Sequence, residues 1–375
     1  MPGGKAYDQA YIRRRNSLQL LEVLTACKGL SRTDLTHITG MSATSVGRIV
    51  GALMELGLVE ESASAAGAGR GRRAVRLRTC PDGLYTLGIH LDTQAVTLRA
   101  VSFDGKQAAS LSAPAPRQLT PQSFARCARE MWARLPRKVV ADPSRVRMAG
   151  VCLSGTVNRR AGRVARSDQM DWTDAPLGEV FSQALGMPAL VENDVKSSLM
   201  GEKALQGLAP EEDCAYLFIG QAGIGTAMIV NHRLVRGRDD ASGEIDGIPL
   251  VGNDVMQKHL LGKNLVARAQ AVSPGVRDVE DILSAYRLDV RWARLLVEDY
   301  ANHLALLLRM IDSLLRPHRI ILGGKTIMDF AWLVPRLSVE RLSLGGDFAA
   351  SCAHGAAVIA LEEATQRLLK EALKG

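Results

Sequence analysis

The spacing of apolar residues in this chain changes at Cys80-Pro81-Asp82-Gly83, and that change constrains the fold more than any other feature. Upstream, apolar residues return every three or four positions, the period of a helix; downstream they gather in strand-length runs. A chain of 375 residues is also too long for one ordinary core. The reading is a small helical domain over residues 1–80 followed by a large α/β body over residues 84–375.

The N-terminal part carries its own punctuation. Residues 11–27 (YIRRRNSLQLLEVLTAC) put Ile12, Leu18, Leu21, Val23 and Leu24 mostly on one helical face. Ser31 is placed to cap a second helix, with Asp34 three residues on, and Gly40 ends it. Ser42 is placed to cap a third, which turns Val46, Ile49, Val50 and Leu53 inward and stops at Gly57. Two short helices across a tight, glycine-containing turn form the helix-turn-helix pattern. Its second helix is expected in the DNA major groove, offering Ser42, Thr44, Ser45 and Arg48 to base edges. Arg32 joins them as a candidate DNA contact.

Residues 58–60 and 74–77 read as the strands of a hairpin wing, with SASAAGAGRGRR between them. Arg70, Arg72 and Arg73 on that wing are expected to reach phosphates or a minor groove. Charge agrees. Residues 1–80 hold 12 Lys/Arg against 6 Asp/Glu, whereas the other 295 residues hold 35 against 33. The basic excess therefore sits where a polyanion is expected to bind. The expected partner is a double-stranded DNA operator, met by a homodimer or homotetramer on a two-fold site.

Beyond residue 83 the pattern is mixed. LYTLGIHL, AVTLRAVSF and KQAASLSAP read as a meander that turns at Asp104-Gly105. Helices are expected near 121–134, 176–185, 195–206, 290–315 and 354–371, interleaved with the strands VRMAGVCLSG, MPALVE, CAYLFIG, IGTAMIV, HRLVRG and RIILGG. This mixture implies two α/β lobes with a cleft between them. One lobe takes about 84–195 plus the C-terminal helix 354–371, and the other about 196–350. There is no tandem repeat. Six cysteines (Cys27, Cys80, Cys127, Cys152, Cys214, Cys352) are scattered without a CxxC, mostly in apolar runs, and are expected to be buried reduced thiols. No apolar run reaches the ~18 residues of a membrane span. With no apolar stretch after the basic first residues, a cytoplasmic protein without membrane contact is expected.

Several stretches recur in a recognisable order: Gly150-Val151-Cys152-Leu153-Ser154-Gly155-Thr156-Val157, Val191-Glu192-Asn193-Asp194, Gly223-Ile224-Gly225, Arg236-Gly237 followed by Gly243-Glu244-Ile245, and Ile321-Leu322-Gly323-Gly324. Together they resemble the ROK family of repressors, open reading frames and sugar kinases. That resemblance implies a two-lobed, actin-like body, and with the winged helix-turn-helix in front it resembles the repressor branch. It also implies that Asp194 matches the family's catalytic Asp, which in a kinase activates a sugar hydroxyl. Asn193, Glu244 and Ser154 join Asp194 as candidate ligands for a carbohydrate-like effector. The alternative role for Asp194 is to cap the helix that follows it.

The departures from the family matter as much. Where the kinases carry Asp-x-Gly-Gly-Thr-Lys, this chain has His90-Leu91-Asp92-Thr93-Gln94-Ala95, so the glycine pair that lets backbone approach phosphate is missing. The family's Glu-x-Gly-His becomes Glu244-Ile245-Asp246-Gly247, without the His. Residues 248–290 contain no Cys and one His, His259, so no Cys-based zinc site can be built there. The expectation is a DNA-binding regulator of carbohydrate-metabolism genes, a repressor, that senses its effector without catalysis, cofactor or metal. Two other readings compete: an active ATP-dependent sugar kinase with a fused DNA-binding domain, and a ligand-free architectural DNA binder.

Overall fold

The computed structural model describes residues 9–27, 29–62, 75–140, 142–250, 252–337 and 339–372. The N-terminal unit comprises α1 (Gln9–Ala26), β1 (Leu30–Ser31), α2 (Arg32–Thr39), α3 (Ala43–Glu55), β2 (Val59–Ser62) and β3 (Arg76–Thr79), with a small antiparallel sheet in the order β1-β3-β2. The helix starts follow from side-chain chemistry. Ser31 Oγ accepts from the Asp34 amide while the Asp34 carboxylate accepts from the Ser31 amide, a reciprocal capping box. Gly40, at φ +68°, turns the chain out of α2, and Ser42 then caps α3 through the Ser45 amide. Leu35, Val46, Ile49, Val50 and Leu53 are buried. Arg70, Arg72 and Arg73 lie outside the described residues.

The first lobe is built on β4 (Tyr85–Leu91), β5 (Ala95–Ser102) and β6 (Gln107–Pro114), an antiparallel meander, extended in parallel by β7 (Val146–Leu153) and later β11 (Ala189–Asn193). The order β11-β7-β4-β5-β6 puts β4 in the centre. All seven of its residues are buried, which is why YTLGIHL shows no polar alternation. Helices α4 (Pro121–Ala133), α5 (Arg137–Val140) and α6 (Leu177–Leu185) belong to this lobe. So does a small antiparallel sheet of β8 (Thr156–Asn158), β9 (Arg163–Ser167) and β10 (Trp172–Ala175), which the sequence reading missed.

The second lobe carries β12 (Cys214–Ile219), β13 (Ile224–Val230), β14 (Arg233–Leu234), β15 (Arg319–Gly323) and β16 (Leu342–Leu344), ordered β14-β13-β12-β15-β16. Around it pack α8 (Gln257–Leu260), α9 (Gly262–Gln270), α10 (Val279–Arg287), α11 (Arg291–Leu315) and α12 (Lys325–Asp329). Between the lobes run α7 (Asp194–Leu205) and α13 (Phe348–Ala372). α13 starts six residues before the expected 354. Its first turns, FAASCAHGAA, look loop-like because they are small, yet smallness is what the contact demands. A methyl group on Gly355 would overlap the Ser197 carbonyl of α7, and one on Gly88 of β4 would overlap the Ala353 carbonyl of α13. All six cysteines are free; Cys152, Cys214 and Cys352 are buried, Cys80 and Cys127 are half-buried, and Cys27 is exposed, so burial holds for three of them. Among the described residues no helix is long and apolar enough to cross a membrane.

Candidate functional site

The outer face of α3 begins with the residues expected to read bases. Ser42, Thr44 and Arg48 are exposed and Ser45 is half-buried. Ser42 is committed to its cap and to the Ser45 hydroxyl, 3.0 Å away, which leaves Thr44 and Arg48 as the free reaching groups. Arg32 is held differently from its neighbours: its guanidinium pairs with Glu61 of β2 at 3.0 Å. That exposed pair ties the start of α2 to the wing strand, and a phosphate would have to compete with it.

The unit does not hang from a linker. Leu20, Leu21 and Leu24 of α1 and Leu35, Val46 and Leu53 of the helix-turn-helix share one buried cluster with Met148 of β7, Leu190 of β11, and Ile359, Ala360, Ala364 and Leu369 of α13. The same α13 reaches the interlobe cleft at its other end. There Cys352 Sγ donates to the Asp194 carbonyl at 3.3 Å, and Phe348 stacks near Phe218 and edge-on to His90.

The cleft is organised by the junction of β11 and α7. Asn193, not Asp194, caps α7: its Oδ1 accepts from the Lys196 amide at 3.0 Å. This corrects the capping role considered for Asp194, which is the first residue of the helix proper. The Asn193 side-chain amide donates to the Gly155 carbonyl at 3.1 Å and to Asp194 Oδ1 at 3.2 Å. Asn193 therefore positions Asp194 and the Ser154-Gly155 turn, with both hydrogens of its side-chain amide engaged. Ser154 is half-buried, and its carbonyl accepts from the Ser167 hydroxyl at 2.7 Å.

Asp194 is 5% exposed. Its Oδ1 also accepts from the Val195 amide at 2.8 Å. Burial pushes its pKa up to about 6; its backbone hydrogen bonds oppose the rise, and the Glu244 and Asp92 carboxylates add to it. Glu244 is exposed at the rim, on a loop fixed to β13 by the Thr226 amide bonded to the Gly243 carbonyl at 2.9 Å. Gly225 lies against Val195, so the glycine turn, the Glu244 loop and the start of α7 meet at one place.

Sequence reasoning missed the charges that close this place from below. Glu192 is fully buried on β11; its Oε1 accepts from the Asn193 amide at 3.0 Å and its Oε2 from Arg236 of the second lobe at 2.5 Å. Arg159 approaches Glu192 at 4.0 Å and Glu363 of α13 at 3.7 Å. Buried Lys196 donates to the Asp240 carbonyl at 2.8 Å, and burial lowers its pKa against the pull of Glu192 and Glu244. The available signal was a Glu inside an otherwise apolar strand, since a buried carboxylate needs a cation.

At the β4–β5 turn, Asp92 accepts from the Gln94 amide at 2.9 Å and from the Gln169 side chain at 3.2 Å. Side chains fill the turn where a phosphate-binding loop would present bare backbone. His90 is buried beside it, and burial pushes its pKa down to about 4.

Comparison with known proteins places this geometry. A model of the ROK family matches residues 86–343, and a model of the IclR helix-turn-helix domain matches residues 15–63. A transcriptional regulator of Mycobacterium tuberculosis is 25% identical over 325 residues, covering 80% of this chain and 72% of that protein. A xylose repressor of Caldicellulosiruptor bescii is 21% identical over 340 residues, covering 85% of each. Among solved structures, a ROK family transcriptional regulator described as a homologue of the E. coli MLC protein superposes with a TM-score of 0.75 at 19% identity, over 97% of this chain and all of that one. A ROK hexokinase from Thermus thermophilus superposes with a TM-score of 0.63 at 20% identity, over 75% of this chain and 99% of that one. At these identities the structures speak for the fold alone: an actin-like, two-lobed body, with the regulator matching nearly the whole of this chain. Because the family match spans more than half of the sequence, the chain belongs to the ROK family and carries a helix-turn-helix domain ahead of its ROK body.

Proposed function

We propose that this chain is a DNA-binding transcription regulator. Residues 1–80 form its winged DNA-reading domain, and residues 84–375 form a body that binds a carbohydrate-like metabolite between its lobes and sets operator affinity. The observation that carries this reading is the single buried cluster joining α1 and α3 to α13 and the edge of the first lobe. Because α13 also touches Asp194, a ligand that changes the cleft has a packed route to the DNA-reading helix. The relatives named as regulators and xylose repressors favour a repressor of sugar genes, and make aldopentoses the first effectors to test.

Sensing is favoured over phosphoryl transfer. The β4–β5 turn offers Thr93 and Gln94 where close backbone approach to phosphate needs glycine. Asp194 and Glu244 remain able to accept from hydroxyls. No catalytic residue is assigned, and a two-fold operator implies a dimer or a higher symmetric oligomer.

The test is fluorescence anisotropy of the full chain on DNA from around its own gene, with and without xylose, other aldoses and amino sugars. Affinity is expected to fall steeply with salt. Arg48→Ala should cost about 1–3 kcal/mol and relax base preference. Asp194→Ala should keep DNA affinity and lose the sugar response. A folded protein with no salt-dependent affinity for any duplex would end the proposal. ATP-dependent sugar phosphorylation that disappears in Asp194→Asn would replace sensing with the kinase reading.

A further inference from the structure

In the second lobe, helix packing brings a histidine of α8 against two side chains of α11. His259 stands on α8, and Asp299 and His303 stand one turn apart on α11. One imidazole nitrogen from each histidine and a carboxylate oxygen of Asp299 lie within 4.8 Å of one another. We propose that His259, Asp299 and His303 form a cysteine-free site for a divalent transition metal of the zinc type, clipping α8 to α11.

Four observations support it. The Asp-x-x-x-His spacing on α11 puts both ligands on one helix face, which α8 covers. Beyond these three ligands, Asp254 takes His259 Nε2 at 2.7 Å, the arrangement by which a carboxylate orients a ligating imidazole; the other ring nitrogen, Nδ1, then faces Asp299 at 2.9 Å. All three ligands are half-buried, screened from bulk water yet reachable by an ion. The donor set, two nitrogens and one oxygen with no sulfur, suits zinc and its neighbours rather than calcium or magnesium. The two rings stack with centroids 3.7 Å apart and planes 14° from parallel, so their in-plane lone pairs run side by side and one ring has to turn for both to meet the same ion. Arg268 holds Asp299 Oδ2 at 2.8 Å, which leaves Oδ1 as the oxygen for the ion, and His303 Nδ1 donates to the Asp299 backbone carbonyl at 2.8 Å, which leaves Nε2 as its ligating nitrogen.

The position gives the site a consequence. Asp254 lies just before α8, the first helix after the Glu244 loop, and His259 stands on that helix. A metal clip there would fix the far end of the loop that carries Glu244, so the ion should stiffen the second lobe.

The experiment uses the full chain, stripped with chelator and titrated with zinc chloride and, separately, cobalt chloride. One equivalent per chain is expected, with a raised thermal midpoint and a cobalt spectrum free of thiolate charge-transfer bands. Asp299→Asn and His303→Gln should each weaken zinc binding at least tenfold. If Asp299→Asn fails to fold, His303→Gln decides, because it keeps the helix and removes only an imidazole. Cobalt–thiolate bands, less than one equivalent at saturating zinc, or unchanged affinity in folded His303→Gln would each overturn the proposal.

Discussion

Along its first half, α13 meets α7 and the first-lobe sheet through glycine, alanine and serine, with backbones in contact at Gly355 and Gly88. Along its second half it meets α1 and the DNA-reading core through Ile359, Ala360, Ala364 and Leu369 against Leu20, Leu21 and Leu24. At Gly355 and Gly88 the first contact sets backbone against backbone, which leaves little room for α7 and α13 to shift past each other. The second is built from flexible aliphatic side chains that can repack. One helix thus offers a rigid grip where the effector is proposed to bind and a yielding one where the DNA-binding unit sits. Such an element can bias a bistable contact at its far end without losing its own geometry.

The strongest way to break this contrast is Gly355→Ala. Its methyl group has nowhere to go except the Ser197 backbone, so a loss of about 3 kcal/mol or more is expected in thermal or urea unfolding of the whole body. A wild-type midpoint would show that α7 and α13 can part, and the rigid half of the comparison would fall.

Ile359→Ala probes the yielding half. It opens a cavity in the cluster shared with α1, and about 2–3 kcal/mol is expected. That loss should appear first in the N-terminal unit, as faster amide exchange in α1 and α3 and weaker DNA binding, while the body unfolds nearly as before. Equal loss of protection in both lobes would mean that the whole of α13 is rigid.

Asp194 supplies the smallest effect and the sharpest sign. Its pKa is about 6 folded, against 3.8 for an unperturbed Asp. The folded state therefore holds the proton more tightly than the unfolded chain does. The penalty for burying the carboxylate is absent below pH 3.8, grows as pH rises between 3.8 and about 6, and is complete above that. Asp194→Asn should remove this slope and stabilise the protein by about 2 kcal/mol at neutral pH, as read by urea unfolding across that window. An unchanged slope would show that another group carries the titration.

How much of this was legible depended on how local the cause was. The caps at Ser31 and Ser42, the stop at Gly40 and the β4–β6 meander were readable, because each rests on residues a few positions apart. The strands β8–β10 and the helices α8–α10 were not: they run three to nine residues, too short for a period to declare itself. Asp194 was flagged through a family motif, but its partner Asn193 and the Glu192–Arg236 tie were not assigned their roles. Nothing in ALVEN says which cation, forty-four residues away, will meet the glutamate.

By itself, then, the sequence determined where helices begin and end in the N-terminal unit, the division into a basic DNA-reading part and a two-lobed body, and the loss of the glycine pair at the β4–β5 turn. These follow from backbone propensity, capping and period, which act over one or two turns of chain. Only the tertiary structure decided that the DNA-reading core continues into α13, that Asn193 rather than Asp194 caps α7, and that His259 meets Asp299 and His303. Those outcomes depend on burial and on charges brought together from distant segments, and both exist only once the lobes have packed.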